Sequence, residues 1–302
     1  MAYTVNTGAF ITMFGDEVHH SFQQLESKLQ GSVRTVRGVV GHTYQFPVLG
    51  KGGVIKNKTA TEDLDAMSSI SNTAALTGGG TWYGDANVTM AHTNVTANIN
   101  TYATGEYIDD FDSLKTNIDL RNAYAESIAG AMNRAVDGEI ISAFDAIANA
   151  DLAGGAQIDA TAGTLGKTEI LTAKRYLDAA SVPQSDRFLV VNPLGLNELM
   201  NTSTIVSSDF GVISNEALQT GNIGQLFGFN IIMSNELTGT LAPNSGISCY
   251  AFHKNAVGCA VGKEMTTMVN YVPQKLSTLI SAEYSAGATA VDSTGVVRIT
   301  VA

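Results

Sequence analysis

Between Asp112 and Asn149 the chain reads DSLKTNIDLRNAYAESIAGAMNRAVDGEIISAFDAIAN. Along it Leu114, Ile118, Arg121, Ala125, Ile128, Met132, Val136, Ile140, Ala143 and Ile147 recur every three or four residues, the spacing that lines one face of an α-helix. At 1.5 Å per residue such a helix runs roughly 50 Å. Asp109, Asp110 and Asp112 suit its N-terminus, where the helix dipole is positive, and Gly154-Gly155 stops it. Gly130 and Gly138, beside Ala123, Ala129 and Ala131, thin its middle. Either another backbone crosses there or small residues are simply tolerated.

Upstream the period changes. From Gly38 to about Asp110 the chain is rich in Thr, Asn, Gly and Val, with Gly50-Lys51-Gly52-Gly53 and Gly78-Gly79-Gly80 as turn signals. This reads as a long β-excursion whose return limb carries Thr89, Thr93, Val95, Thr96 and Ile99. Those residues favour extended backbone but bury little apolar surface alone, so the arm needs a partner to lie on. Ahead of it, Phe14, Val18, Phe22, Leu25 and Leu29 predict an N-terminal helix closed by Gly31. Downstream the patterns predict helices over Lys167–Ala180 and Leu194–Met200 and a buried strand over Arg187–Asn192. Strands are expected at Phe227–Ser234, Ile247–Phe252, Ala256–Val261, Thr266–Tyr271, Leu276–Tyr284 and Val296–Val301. The class is α+β, and the lack of an internal repeat excludes a solenoid.

The chain has 302 residues, with 17 Lys+Arg against 28 Asp+Glu, a net charge of −11. That balance repels nucleic acid and excludes a non-specific DNA binder. Charged residues are only 15% of the chain, against roughly 25% in ordinary soluble domains. A monomer stays soluble behind a charged coat, so a charge-poor chain points to a surface covered by other protein. The first residues lack a basic segment followed by an apolar run, and no uncharged apolar 18-mer occurs, so neither a secretory signal nor a membrane span is expected. Cys249 and Cys259 stand either across a hairpin near Lys254 or as reduced core thiols, the latter being the ordinary state without secretion.

Motifs for chemistry fail on spacing. Gly258-Cys-Ala-Val-Gly262-Lys263-Glu264 is one residue short of a phosphate-cradling loop and ends in Glu. The histidines His19, His20, His42, His92 and His253 form no helical chelating pair, and no Gly-x-Ser-x-Gly elbow exists. Glu106, Asp109, Asp110 and Asp112 do not match a calcium loop and serve a helix start more simply. Trp82 in Gly80-Thr81-Trp82-Tyr83-Gly84 is either a protein contact or a local cluster. No catalytic, cofactor-binding or metal residues are assigned, and the chain is not expected to be an enzyme.

Six segments in order resemble the major capsid proteins of short-tailed (podovirus, autographivirus-like) bacteriophages, which have the Hong Kong 97-like shell fold. They are Phe14-Gly15-Asp16-Glu17-Val18, Gln45-Phe46-Pro47-Val48-Leu49-Gly50, Ala135-Val136-Asp137-Gly138-Glu139-Ile140, Ile223-Gly224-Gln225-Leu226-Phe227-Gly228-Phe229, Phe252-His253-Lys254-Asn255-Ala256-Val257-Gly258 and Glu283-Tyr284-Ser285-Ala286-Gly287. The resemblance implies an N-terminal arm over 1–30, an extended loop over 31–110 and a peripheral domain with a spine helix over 111–185. An axial domain over 186–250 and C-terminal strands over 251–302 returning to the peripheral domain complete it. It also implies an icosahedral shell of self-assembled hexamers and pentamers around double-stranded DNA, with a scaffolding protein and a portal as partners and no membrane. Its place is the virion, assembled in the host cytoplasm. Relatives carry a glycine-rich turn and basic residues near the chain end, whereas here Gly295-Val-Val-Arg-Ile-Thr-Val-Ala302 holds one Arg. Two other classes stay open on the residues alone. A secreted β-rich adhesin or pilin-like subunit suits the Thr/Asn-rich middle, and an α/β enzyme suits the strand-turn-helix unit at 186–201.

Overall fold

In the computed structural model the described residues are 23–50, 54–56, 81–83, 92–109, 120–160, 164–201, 224–237 and 247–301. The long helix, α1, covers Leu120–Asp145. Its buried side carries Ile128, Met132, Val136, Ile140 and Ala143, and Ile147 is buried just beyond its end. Ala125 packs against that core and Arg121 is exposed, while Leu114, Ile118 and the start expected at Asp112 lie outside the described residues. The helix ends at Asp145 rather than Asn149 because Arg298 reaches it from the last strand. Its guanidinium donates to the carbonyls of Phe144, Asp145 and Ile147 and to Asn149 Oδ1, serving the oxygens that have no intrahelical partner.

In chain order the strands are β1 (Arg34–Arg37), β2 (Thr43–Leu49), β3 (Val54–Lys56), β4 (Thr81–Tyr83), β5 (His92–Asn98) and β6 (Asn100–Asp109). After α1 come β7 (Ile158–Asp159), helix α2 (Lys167–Ala179), β8 (Arg187–Val191), helix α3 (Pro193–Asn201), β9 (Gln225–Leu226) and β10 (Phe229–Met233). The chain closes with β11 (Ile247–His253), β12 (Val257–Val272), β13 (Ser277–Ala290) and β14 (Val296–Val301). One sheet has the order β1-β12-β13-β6, a second β7-β14-β11-β8-β10-β9, and β2-β5 and β3-β4 form two-stranded ladders.

The two large sheets explain two kinds of hydrophobic pattern. On β13 Ile280, Ala282, Tyr284 and Ala286 are buried in the core shared with α1, while Glu283 between them is exposed. The strand alternates because only one of its faces meets the helix. In the second sheet both faces are covered. Cys249 and Ala251 of β11 join Ile170, Ala173, Leu177 and Leu199 of α2 and α3, whereas Tyr250 and Phe252 join the α1 core. There Phe144 lies 5.0 Å from the Tyr250 ring and 4.6 Å from Phe252, centroid to centroid. Burial on both sides accounts for the uninterrupted apolar runs of β8 and β11.

Three expectations are corrected. Residues 23–29 are not helical, so the periodicity of Leu25 and Leu29 does not make a helix there; Phe14, Val18 and Phe22 lie outside the described residues. The two strands expected at Ala256–Val261 and Thr266–Tyr271 are one, β12, carried through irregularities between Val261 and Thr266 where its register against β13 shifts. Cys249 and Cys259 do not face each other across a hairpin. The 3-10 turn Lys254–Ala256 passes the chain from one sheet to the other, and the two buried free thiols belong to separate cores.

Candidate assembly surfaces

Asp137 is the one acid of α1 that is fully buried, at 0% exposure. Its carboxylate accepts from Gln24 Nε2 (2.6 Å), Ser27 Oγ (2.5 Å) and the backbone N–H groups of Lys28 (3.0 Å) and Leu29 (3.1 Å). These four donors come from the segment that was expected to continue a helix. Lys28 and Leu29 give their amides to a side-chain carboxylate, and a charge-assisted bond outweighs the neutral carbonyl it replaces. The neighbouring Arg134 donates to the Gln24 carbonyl and Gln23 Oε1, and Asn133 to the Leu25 carbonyl. Gly130 is where the backbone of Gln24 and Leu25 crosses the helix. A Cβ there would stand 3.2 Å from Leu25 Cδ2 and 3.3 Å from the Gln24 oxygen. At Gly138 a Cβ would meet nothing within 4 Å, so only one of the two glycines has this reason.

The chain at the inner end of the β2-β5 ladder, residues 39–46 and 97–99, is seated on the opposite face of the first sheet. Phe46 of β2 is fully buried with Ala97 and Ala260, and a Cβ at Gly258 would lie 2.5 Å from its ring. At Gly287 of β13 a side chain would collide with the Asn98 carbonyl, so this glycine permits the Asn98 backbone to lie directly on the strand. Hydrogen bonds from Val39 N–H to the Val261 oxygen and from Ile99 N–H to the His42 oxygen complete this seat. The β2-β5 ladder then runs out in full register from Thr43↔Asn98 to Leu49↔His92, and Leu49 is exposed.

A third surface is the far half of β12. β1 pairs only with Gly258–Val261, so from Lys263 onward β12 is the sheet edge among the described strands. Residues 263–271 are all exposed. Lys263 binds Glu283 at 2.5 Å and Glu264 binds Arg37 at 3.1 Å, but from Met265 to Val272 there is no charge. At the hairpin end Lys275 Nζ sits 3.6 Å above the Tyr107 ring, tying the β12-β13 connection to β6.

The residues singled out for chemistry are not brought together. Gly258 to Glu264 lie in extended β12, not in a phosphate loop. Glu106 and Asp109 are exposed on β6, while Asp110 and Asp112 lie outside the described residues, as do His19 and His20. His253 is buried; its Nδ1 accepts from Asn255 N–H and so caps the 3-10 turn between the sheets, and burial lowers its pKa. Trp82 belongs to β4 opposite Ile55, and its side chain is outside the description. Burial pushes the Cys249 thiol up to about 12 and Cys259 to about 11, which leaves both protonated and unreactive at neutral pH. Tyr102 and Tyr250 donate to Glu139 and Asp145, anchoring α1 to the two sheets, and their pKa values rise with burial and with those acidic partners. Among the described residues no three His, Cys, Asp or Glu side chains gather as a metal site. Asp137 is the residue sequence reading undervalued. The available signal was an acid set one position behind Val136 on the buried stripe.

The sequence model of the family described as phage capsid protein matches residues 6–302. No curated protein matches the chain. Among solved structures, a chain of Mycobacterium phage Che8 aligns with a TM-score of 0.67 at 20% identity, covering 98% of each chain. The capsid of Cyanophage P-SCSP1u aligns at 0.69 and 18%, covering 97% of this chain and 93% of that one. The Cyanophage Pam1 capsid aligns at 0.69 and 12%, covering 99% and 98%. At these identities the likeness speaks for the fold, which is the Hong Kong 97-like shell fold.

Proposed function

The chain belongs to the phage capsid protein family, is a major capsid protein of the virion shell, and on that premise we propose how its surfaces build the shell. Copies join into hexamers and pentamers of an icosahedral shell around double-stranded DNA. The observation that carries this reading is the family match along nearly the whole chain, on a fold whose loop root, arm clasp and open strand edge all lie on one helix-and-sheet frame. Residues 1–30 serve as the N-terminal arm, 31–110 as the loop that overlaps a neighbour and 111–185 as the peripheral part with its spine helix. Residues 186–250 serve as the axial part that closes the rings, with 251–302 as the C-terminal strands.

Many modest contacts repeated over a closed lattice then supply stability that no single interface needs to provide. The net charge of −11 suits the cargo, since a wall of like charge lets DNA slide instead of adhering, and salt confines the repulsion to about 10 Å. A scaffolding protein and a portal take part in assembly in the host cytoplasm, the phage is of the short-tailed kind, and the chain carries no catalytic role.

Electron microscopy of the purified full chain, alone and with its scaffold, tests the reading. Closed shells are expected. Filaments would favour a pilin-like subunit, and a monodisperse species of about 32 kDa under every condition would overturn the shell.

A further inference from the structure

A chain with net charge −11 repels its own copies over most of its surface, so contacts between copies favour neutral ground. The far half of β12 is such ground. Met265-Thr-Thr-Met-Val-Asn-Tyr-Val272 has no charge, proline or glycine, and Met265, Met268, Val269 and Tyr271 are 41%, 42%, 54% and 52% exposed. On one side the stretch is laddered to β13, from Thr266↔Glu283 to Val272↔Ser277. On the other, β1 has stopped at Arg37, opposite Val261. A long, uncharged edge of this kind is a template for another strand, and proteins that remain monomeric blunt it with Lys, Pro, a bulge or a covering element; the irregularities of β12 end at Thr266, and the ladder is regular from there to Val272. Here the charges are confined to Lys263 and Glu264, each neutralised within the chain by Glu283 and Arg37.

Resting on the reading that the chain assembles with its own kind, we propose that this edge pairs antiparallel with the same edge of a second copy about a two-fold axis at Met268. The sequence is self-complementary in that register. Met268 meets Met268, Thr267 meets Val269, Thr266 meets Asn270 and Met265 meets Tyr271, so apolar side chains oppose apolar ones at the centre and ends, Thr266 opposes the polar Asn270, the β-branched Thr267 and Val269 oppose each other, and no charges meet. Opposed residues in an antiparallel pair share a face. The register of β12 against β13 puts Thr267, Val269 and Tyr271 on the face of Ile280 and Ala282, which is the face toward α1, and Thr266, Met268 and Asn270 on the other. The joined edges therefore continue each sheet into its partner without flipping either pattern. An isologous contact of this type uses one patch twice and needs no second surface.

The test is a single cysteine on the axis. Met268→Cys in the full chain places two thiols on directly opposed positions, with Cβ atoms about 4.5–5.5 Å apart, close enough for a disulfide after small adjustment. The native Cys249 and Cys259 are buried and do not compete. Leu276→Cys, at the exposed hairpin end, gives the rate of chance collisions. Under mild oxidation of assembled protein, Met268→Cys is expected to form covalent dimers at least roughly tenfold faster than Leu276→Cys, because the thiols are held together rather than meeting by diffusion. Equal rates in particles that assemble normally by electron microscopy would overturn the pairing while leaving the shell intact. Val269→Lys supplies a second readout. Folded subunits that no longer assemble support the edge contact, and wild-type assembly of this variant refutes it.

Discussion

Replacing Asp137 by Ala removes the acceptor that gathers Gln24, Ser27, Lys28 and Leu29 onto α1. If the arm stayed in place, the buried Leu29 N–H would be left bare at about 1–3 kcal/mol, and the loss of the other three bonds would add to it. The segment has a cheaper course, which is to open into water and give up the burial of Leu29, worth about 2–3 kcal/mol. The lower route sets the cost. A loss of about 2–3 kcal/mol corresponds to a rise of roughly 30–160-fold in the open population. Native-state hydrogen exchange at the Leu29 amide reads this directly, with limited proteolysis of residues 23–31 as a second measure. Protection at Leu29 should fall by that factor while strands β8 and β11 keep theirs. Asp137→Asn should lie between, since its Oδ1 still accepts from the Leu29 N–H and Ser27 Oγ while the Lys28 N–H and Gln24 Nε2 lose their acceptor. If Asp137→Ala leaves the Leu29 amide as protected as in the wild type, the carboxylate does not hold the arm and the reasoning fails.

Ile128 is 7% exposed in the α1 core; Ile128→Asp should lose about 2–3 kcal/mol of burial plus the cost of a charge in that core, giving insoluble or unfolded subunit on expression. Glu126→Lys, on the exposed side of the same helix, should give soluble protein with a near wild-type melting curve; the reverse ranking would show the helix phase to be wrong. The thiols of Cys249 and Cys259 titrate near 12 and 11 in the fold and near 8.5 unfolded, so the unfolded state releases protons first as pH rises. Their contribution to stability is full below about pH 8.5 and declines above it, and folded protein should resist alkylation at pH 9 while both thiols react in denaturant. Rapid alkylation of the folded chain at that pH would contradict their burial.

Much of the architecture is local in origin and therefore legible. The stripe from Ile128 to Ile147 needs only the 3.6-residue period to appear, and it is the buried stripe. The runs Arg187–Val191 and Val296–Val301 are extended because their apolar, β-branched residues pack on both sides, and their bounds match or nearly match those expected. The six segments of the family resemblance include positions where distant parts meet: Phe46 and Gly258, which pack together, Gly287, on which the Asn98 carbonyl lies, and His253 at the turn between sheets. Composition alone already indicated a surface meant for other protein.

What only the tertiary structure decided is where long-range partners overrule local preference. Leu25 and Leu29 keep helical spacing, yet a carboxylate 108 positions from Leu29 in the sequence claims the amides a helix would need. The end of α1 is set by Arg298, which lies 153 residues from Asp145. Whether β12 is one strand or two depends on the β13 ladder carrying it through its bulge, and among the described strands its far half is an edge because β1 is short. In each case the deciding energy is a hydrogen bond or a contact between groups far apart in the chain. Periodicity and propensity describe neighbours within a few residues, so they hold no information about such partners.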